Sequence, residues 1–462
     1  MKPKYFLALG LLVLGLGSCG ESFFEQYPSN NITEGNFYKT DDDFNQGVVA
    51  CYAKLKTQMS FHLTEIGYRG DENVLESTAV STQNRYDIDH FAETANNGIL
   101  NDIWNAWYNG IYRCNDVLDH MTGAKIANYD KYRGECLFLR SWWYFNLYRV
   151  FGVVPITRTV VTPAAAKLIP RCTEEEMYTL LTEDLAEAAR LLPPTPGPEK
   201  ARVANIAAYT LLAKVYLTFG KPAEAKTALE EAMKNTSYGL ESTTKKVFDV
   251  GNKMNREIIF ALYYNKTNDN GHGYWYSANT DVLADINNPT PTFKAIYDSE
   301  KDNRLPLISS YTKIKDNLFA MTKWYDTYDA TYTTQVGNDF PHLRYADVVL
   351  MYAEALAESG GSLGDALEWL NKTRTRAGLD ELTTDEVKSL AEFRRELAAE
   401  RGREFALEGH RWFDLVRLGL AVDYFREMGY SLDSHNLIFP IPQNQIEIVN
   451  NPSILWQNPG FN

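Results

Sequence analysis

Apolar residues recur at three- and four-residue spacing along much of the chain, which is the period of a helix with one buried face. Asp102 to Met121 and Tyr129 to Val150 carry the pattern, rich in Trp, Tyr and Leu, and predict two amphipathic helices. Trp142, Trp143 and Tyr144 fall inside the second and read as core. Thr40-Asp41-Asp42-Asp43 reads as a helix start, with a hydroxyl cap and acids at the positive end of the dipole; a metal site is the sharper alternative for those acids.

Within Ile206 to Met233, "AAYTLLAKVYLTFGKPAEAKTALEEAM" places small residues (Ala213, Ala225, Ala232) and larger ones (Leu212, Tyr216, Leu229) where tetratricopeptide helix pairs put their packing positions. Small residues let two antiparallel helices approach while the large ones fill the gaps. A weaker copy runs from Tyr345 to Thr373 with Ala353, Leu356, Ala366 and Leu370. Another joins Glu135 to Tyr148 with Glu183 to Leu192, across an insertion holding Pro155, Pro163 and Pro170. The expected fold is mainly α, a scaffold of degenerate tetratricopeptide-like helix pairs.

The helical period fails in two regions. Gly67 to Phe91 lacks a stripe over most of its length. Val247 to Phe340 carries strand-like runs such as Ile258 to Tyr264, the turn-rich "NKTNDNGHG" and many aromatic residues. Loop-rich insertions on a rigid scaffold are where binding residues concentrate.

The first residues read as a targeting signal. Lys2 and Lys4 precede an apolar run, Tyr5 to Leu16, too short to span a bilayer, and Leu16-Gly17-Ser18 offers a small-residue cleavage site before Cys19. Residues 19–33 then read as a polar tether, and 34–462 as one helical domain with insertions around 67–91 and 247–340. Four further cysteines, Cys51, Cys114, Cys136 and Cys172, lack metal-ligand spacing; plain packing is expected, with three disulfide pairings open. The formal charge of -14, without a run of Lys and Arg, excludes a phosphate-binding face and hence nucleic acid.

The densest chemistry is "LEGHRWFDLVRLG", Leu407 to Gly419. If it continues the helix of "ELAAERGREFA", His410 and Asp414 lie one turn apart, and so do Glu408 and Arg411, so the charges pair locally. The stretch has no Ser, Thr or Cys to serve as a nucleophile. Buried charges persist when paired, and the cluster therefore reads as structural wiring.

"ERGREFALEGHRWFDLVRLG" (Glu400 to Gly419) resembles the C-terminal signature of the SusD/RagB family. "RGECLFLRSWWYFNLYRVFGVVPI", "LRYADVVLMYAEAL", "LNKTRTRAGL" and the ending "FPIPQNQIEIVNNPSILWQNPGF" resemble further family blocks in the same order. Cys19 resembles the lipobox cysteine of bacterial lipoproteins, which is acylated. The resemblance implies about four tetratricopeptide-like helix pairs and a ligand surface built from loops on one side. It also implies an outer-membrane lipoprotein facing the cell exterior that hands nutrient to a TonB-dependent transporter. Most relatives take glycans, whereas the RagB branch handles peptides; no cofactor or metal is implied.

A sugar-binding surface needs exposed rings flanked by amides, carboxylates or guanidinium groups. Tyr274, Trp275 and Tyr276 fit first, with Trp275 leading. Arg85, Tyr86, Asp71 and Asn73 form a second group, and Trp324 with Tyr328 a third, although Lys323-Trp324-Tyr325 resembles a common scaffold motif, which would make Trp324 structural. Glycoside hydrolysis, the rival reading, would draw a carboxylate pair from Asp71 or Glu72 and Asp281 or Asp285.

Overall fold

The computed structural model describes residues 37–72, 83–265, 277–279, 289–315, 318–325 and 337–461. Cys19 and the tether lie outside these residues.

Helix α1 (Asp41–Gly67) begins as the sequence predicts. Thr40 Oγ1 accepts from the Asp43 N–H at 3.2 Å while Asp43 Oδ2 accepts from the Thr40 N–H at 2.7 Å, a reciprocal capping box. Asp41 accepts from the Asn128 N–H and the Tyr132 hydroxyl, which ties the start of α1 to the start of a later helix. Helix α2 (Gln83–Asp89) lies in a region expected to be irregular. Seven residues bury only Ile88 and Asp89, too little to print a stripe.

Helices α3 (Gly98–His120) and α4 (Tyr129–Phe151) form where the sequence predicts two helices; α3 is amphipathic, whereas α4 is buried on nearly every side rather than on one face. Their closest approach is set by Gly110, where a Cβ would come within 2.2 Å of the Trp143 ring. Trp142, Trp143 and Tyr144 are buried, as their position in α4 predicts. A one-turn helix, α5 (Pro163–Ala166), sits in the proline-rich insertion, followed by α6 (Glu174–Leu191). The sequence reading started this helix at Glu183. Its first turns carry Glu174, Glu175 and Glu176, a polar opening that hides the period but suits an N-terminus capped by Thr173. Arg140 of α4 grips Asp184 of α6 through two 2.8 Å bonds and donates to Asn115 of α3 at 2.9 Å, joining three helices.

Helices α7 (Asn205–Thr218) and α8 (Pro222–Met233) form the predicted pair, with Ala213, Ala225, Ala232 and Leu229 fully buried. After the short α9 (Thr244–Val247), strand β1 (Ile258–Leu262) runs antiparallel to β5 (Phe340–Arg344), and both strands are buried along their length. Between them lie β2 (Ser277–Asn279), the short helices α10 (Pro291–Lys294) and α11 (Leu305–Ser309), β3 (Tyr311–Lys315) and β4 (Leu318–Met321). β2, β4 and β3 make a small antiparallel sheet in that order. β5 leads directly into α12 (Tyr345–Glu358), which packs on α13 (Leu363–Arg376), the second predicted pair. The chain continues through α14 (Leu390–Glu404), α15 (Arg411–Arg417), α16 (Ala421–Glu427) and α17 (Gln443–Val449).

The fold is mainly helical with a tetratricopeptide-like architecture. Stacking runs from α1 to α3, α4, α6, α7 and α8, then across the insertion to α12, α13 and α14, so each inner helix is covered on two sides. That explains why α7 is apolar nearly all round and why α4 is buried on most of its sides, its buried Glu135 and Arg140 paired with Arg202 and Asp184. No described helix is long and apolar enough to cross a membrane.

Cys51, Cys114, Cys136 and Cys172 are buried free thiols, as packing predicts. Thermal unfolding of the chain without Cys19 should therefore be unchanged by reductant, and thiol reagents should titrate all four only after denaturation. A reductant-dependent fall in Tm would mean that a disulfide exists.

Candidate functional site

The stretch from Leu407 to Gly419 does not continue the preceding helix. α14 ends at Glu404, and Leu407 and Gly409 both take positive φ, 62° and 77°, before α15 starts at Arg411. For Leu407 that conformation is strained by about 1–3 kcal/mol and must be held by its surroundings. Glu72 supplies one restraint: its Oε1 accepts from the Leu407 N–H at 3.0 Å.

The break redirects the pairs that a continuous helix would have made across it, while Asp414–Arg417 stays local to α15. Glu408 pairs not with Arg411 but with Lys323 and Arg344, both at 2.7 Å. Arg344, delivered by β5, also reaches Glu257 at 2.6 Å and Glu404 at 3.0 Å. Glu404 is shared further with Arg304 and Arg376. Arg411 instead clamps Asp71 through Nε and Nη2, and the Tyr424 hydroxyl donates to the same carboxylate. Asp414 is held by Arg401 at 2.8 Å and Arg417 at 3.1 Å, and Arg401 continues to Asp347, the partner of Lys214.

These groups are buried, and their ionisation reflects competition between burial and partners. Burial opposes the charge on Glu404, but Arg376, Arg344 and Arg304 overcome it and hold the carboxyl well below the usual range. Asp414, also opposed by burial, is held at about 2 by Arg401 and Arg417. Glu72 has no such cation in direct contact, and burial pushes it up to about 8. Burial likewise drives His410 far below its ordinary value, with Lys214 adding to the effect, and leaves it neutral, stacked on Phe405 at 4.7 Å. His410 lies 3.5 Å from Arg401 rather than on Asp414.

A cavity of about 390 Å³ opens beside this cluster, lined by α4, α7, α15 and residues 437–438. The hydroxyls on its wall are engaged: Thr218 donates to the Lys214 carbonyl and Tyr148 to Glu174. Nothing here assembles a nucleophile on His410. The cluster braces the fold, as the sequence suggested, but through long-range partners rather than neighbours on one helix.

The ligand candidates separate. Asp71 is 2% exposed and spent on Arg411, and Trp324 is 1% exposed between Phe248 and Phe340, so these two leave the surface and join the frame. Arg85 and Tyr86 stay partly open: Arg85 pairs with Glu65 at 3.2 Å, and Tyr86 stacks on His90 at 3.8 Å. Asn73, Tyr274, Trp275, Tyr276 and Tyr328 lie outside the described residues, as do Asp281 and Asp285. With Asp71 and Glu72 buried, the carboxylates named for hydrolysis on this side are not surface groups. Sequence reading missed Lys214 and Arg149. The available signal was a lone cation in an otherwise apolar run, "AAYTLLAKVYLTF" and "SWWYFNLYRVF".

A family model described as "SusD family" matches residues 302–461, and one described as "Starch-binding associating with outer membrane" matches residues 28–217. The chain belongs to the SusD family. SusD-like protein P2 of Formosa agariphila is 25% identical over 99% of this chain and 100% of that protein. The starch-binding protein SusD of Bacteroides thetaiotaomicron is 33% identical over 31% of this chain and 26% of that protein. Among solved structures, a SusD superfamily protein from Bacteroides vulgatus superposes with a TM-score of 0.78, 24% identity and coverage of 92% of this chain and 100% of that one. A laminarin-binding SusD-like protein gives 0.75 at 23% identity, covering 92% and 100%. These superpositions establish that the helical stack is the SusD fold.

Two measurements test the frame. Arg344→Met takes one cation from three buried carboxylates, leaving Glu257 to Arg376, Glu404 to Arg304 and Arg376, and Glu408 to Lys323. It should cost about 3–5 kcal/mol, read as a lowered urea midpoint; a loss under about 1 kcal/mol would show Arg344 to be dispensable to the network. Glu72 is an acid whose folded pKa is raised, so its contribution is complete below about 4.5 and is lost as pH rises towards about 8. Glu72→Gln should match the wild type near pH 4.5 and exceed it at pH 8.5 by on the order of 5 kcal/mol. Equal pH profiles for the two proteins would refute the assignment.

Proposed function

We propose that this protein is a non-enzymatic, cell-surface glycan-binding lipoprotein that captures oligo- or polysaccharide and delivers it to a TonB-dependent outer-membrane transporter. The observation that carries the reading is the match of residues 28–217 to the family described as starch-binding and associating with the outer membrane. The engagement of the charged cluster in structural pairs supports it, because the obvious catalytic groups are already occupied. Relatives of the same fold are described as laminarin-binding and as surface glycan-binding in complex with laminarihexaose. In this reading Cys19 carries the acyl chains, and several chains are needed because one holds a protein only marginally.

Tyr274, Trp275 and Tyr276 form the principal ring platform. They end one residue before β2, whose pairing with β4 fixes the chain at Ser277. Arg85 and Tyr86 contribute from α2, and Asn73 and Tyr328 belong to the same ligand surface. Flat rings suit the C–H faces of sugars and flanking amides the hydroxyls. Closure onto the transporter is then favoured only as far as the closed state binds ligand better than the open one.

Calorimetry of the purified chain without its lipid should detect glycan binding, and Trp275→Ala should weaken it by about tenfold or more with the fold intact. Release of new reducing ends during incubation with the bound glycan would replace capture with hydrolysis.

A further inference from the structure

The cavity beside the charged cluster is lined by a cation that the frame does not use. In and behind its wall lie four cations (Arg149, Lys214, Arg401, Arg417), three buried carboxylates (Asp347, Asp414, Glu354) and the exposed Glu174. Lys214, Arg401 and Arg417 are each paired with one or more of those carboxylates. Arg149 is the cation left over: among the described residues no carboxylate forms an ion pair with it. Its Nη2 donates to Asn146, and its Nε is shut off from solvent without a partner. That leaves Nη1 for a ligand in the cavity that Arg149 lines.

The guanidinium is also held in place. It lies over the Phe413 ring at 3.9 Å and the Phe145 ring at 4.7 Å, so the cation is oriented before any ligand arrives. Arg149 is half-buried, so its guanidinium is partly desolvated yet open to the cavity, where an anionic ligand would replace the solvation it has lost. The one carboxylate at the rim, Glu174, is exposed and engaged by the Tyr148 hydroxyl. The remaining wall is mixed, with Val153, Val416 and Leu437 beside Thr218, and its volume suits a small organic molecule rather than a polymer.

We propose that this cavity is a binding site for a small organic carboxylate, whose anionic head pairs with Arg149 while its body lies against the apolar wall. One guanidinium without a carboxylate partner matches a single negative charge, and the planar guanidinium matches the planar carboxylate. The cavity lies in the helical stack, between α4, α7 and α15, and the proposal does not depend on which nutrient the protein takes.

Two sources share this chemistry, an acidic sugar and an aliphatic acid, so the test uses both. Calorimetry and thermal shift on the chain without its lipid would compare sodium glucuronate with glucose, and sodium hexanoate with hexanamide. At least one acid should bind and raise Tm while its neutral counterpart does not; which acid does so names the source. Arg149→Gln should lower that affinity by about tenfold or more, and Arg149→Lys should retain part of it. Binding of neither acid at millimolar concentration, equal binding of acid and neutral partner, or full affinity in Arg149→Gln would each overturn the proposal. The acid-against-neutral contrast in the wild type stands even if the Gln variant misfolds.

Discussion

Arg344 is the junction on which the structure turns. It ends the buried strand β5, begins the line of α12, and touches carboxylates from three separate places in the chain: Glu257 before β1, Glu404 at the end of α14 and Glu408 in the turn beyond it. An ion taken out of water regains its solvation only from partners already in position. The insertion, the helical stack and the C-terminal turn must therefore be in register at once. Slipping any one of them would leave a buried charge without compensation, which is a far larger penalty than losing a few apolar contacts. Apolar stacking collapses the helices; the ionic frame selects one arrangement of them.

The same logic accounts for the strained turn at Leu407. If α14 ran on through residue 410, the local pairs read from the sequence would form and Arg411 could not reach Asp71. Breaking the helix exchanges short-range pairs, worth a few tenths of a kcal/mol on an exposed helix, for bonds that span more than three hundred residues. Glu72 and Arg411 thus anchor the segment following α1 to the C-terminal part. This also explains why Asp71 and Glu72, charged residues in a polar, loop-like stretch, proved to be among the most buried acids in the chain.

What the sequence made legible was whatever a local period records. The pairs α7–α8 and α12–α13 were readable because Ala213, Ala225, Ala353 and Ala366 mark close helix approaches, and the Thr40 start was readable from its cap. The beginning of α6 and the whole of α2 were not, since one opens on three glutamates and the other is shorter than two turns. That the C-terminal cluster is structural was legible from its composition, which lacks a nucleophile. Its wiring was not, because partner choice depends on the positive φ at Leu407 and Gly409 and on groups such as Lys323 that lie far away in sequence. Trp324 shows the converse error: an aromatic in an irregular region looks like a ligand platform until the packing of Phe248 and Phe340 closes over it.

A scaffold held this way can carry variable loops at little risk. The frame draws its partners from β5, α12, α14 and α15 and from Glu257, Arg304 and Lys323 around the insertion, while the ring-rich runs of the sequence fall between β1 and β5. Residues at the tips of that insertion can change without disturbing Glu257 or Arg344, because β1 and β5 are clamped to each other and to the stack. Lys323 marks the inner limit of that freedom: its ammonium reaches the Ala406 carbonyl and Glu408, so the chain must return to the frame there whatever lies beyond. A change at Lys323 itself would loosen the turn that orients α15 and, through Arg417 and Asp414, the wall of the cavity beside it.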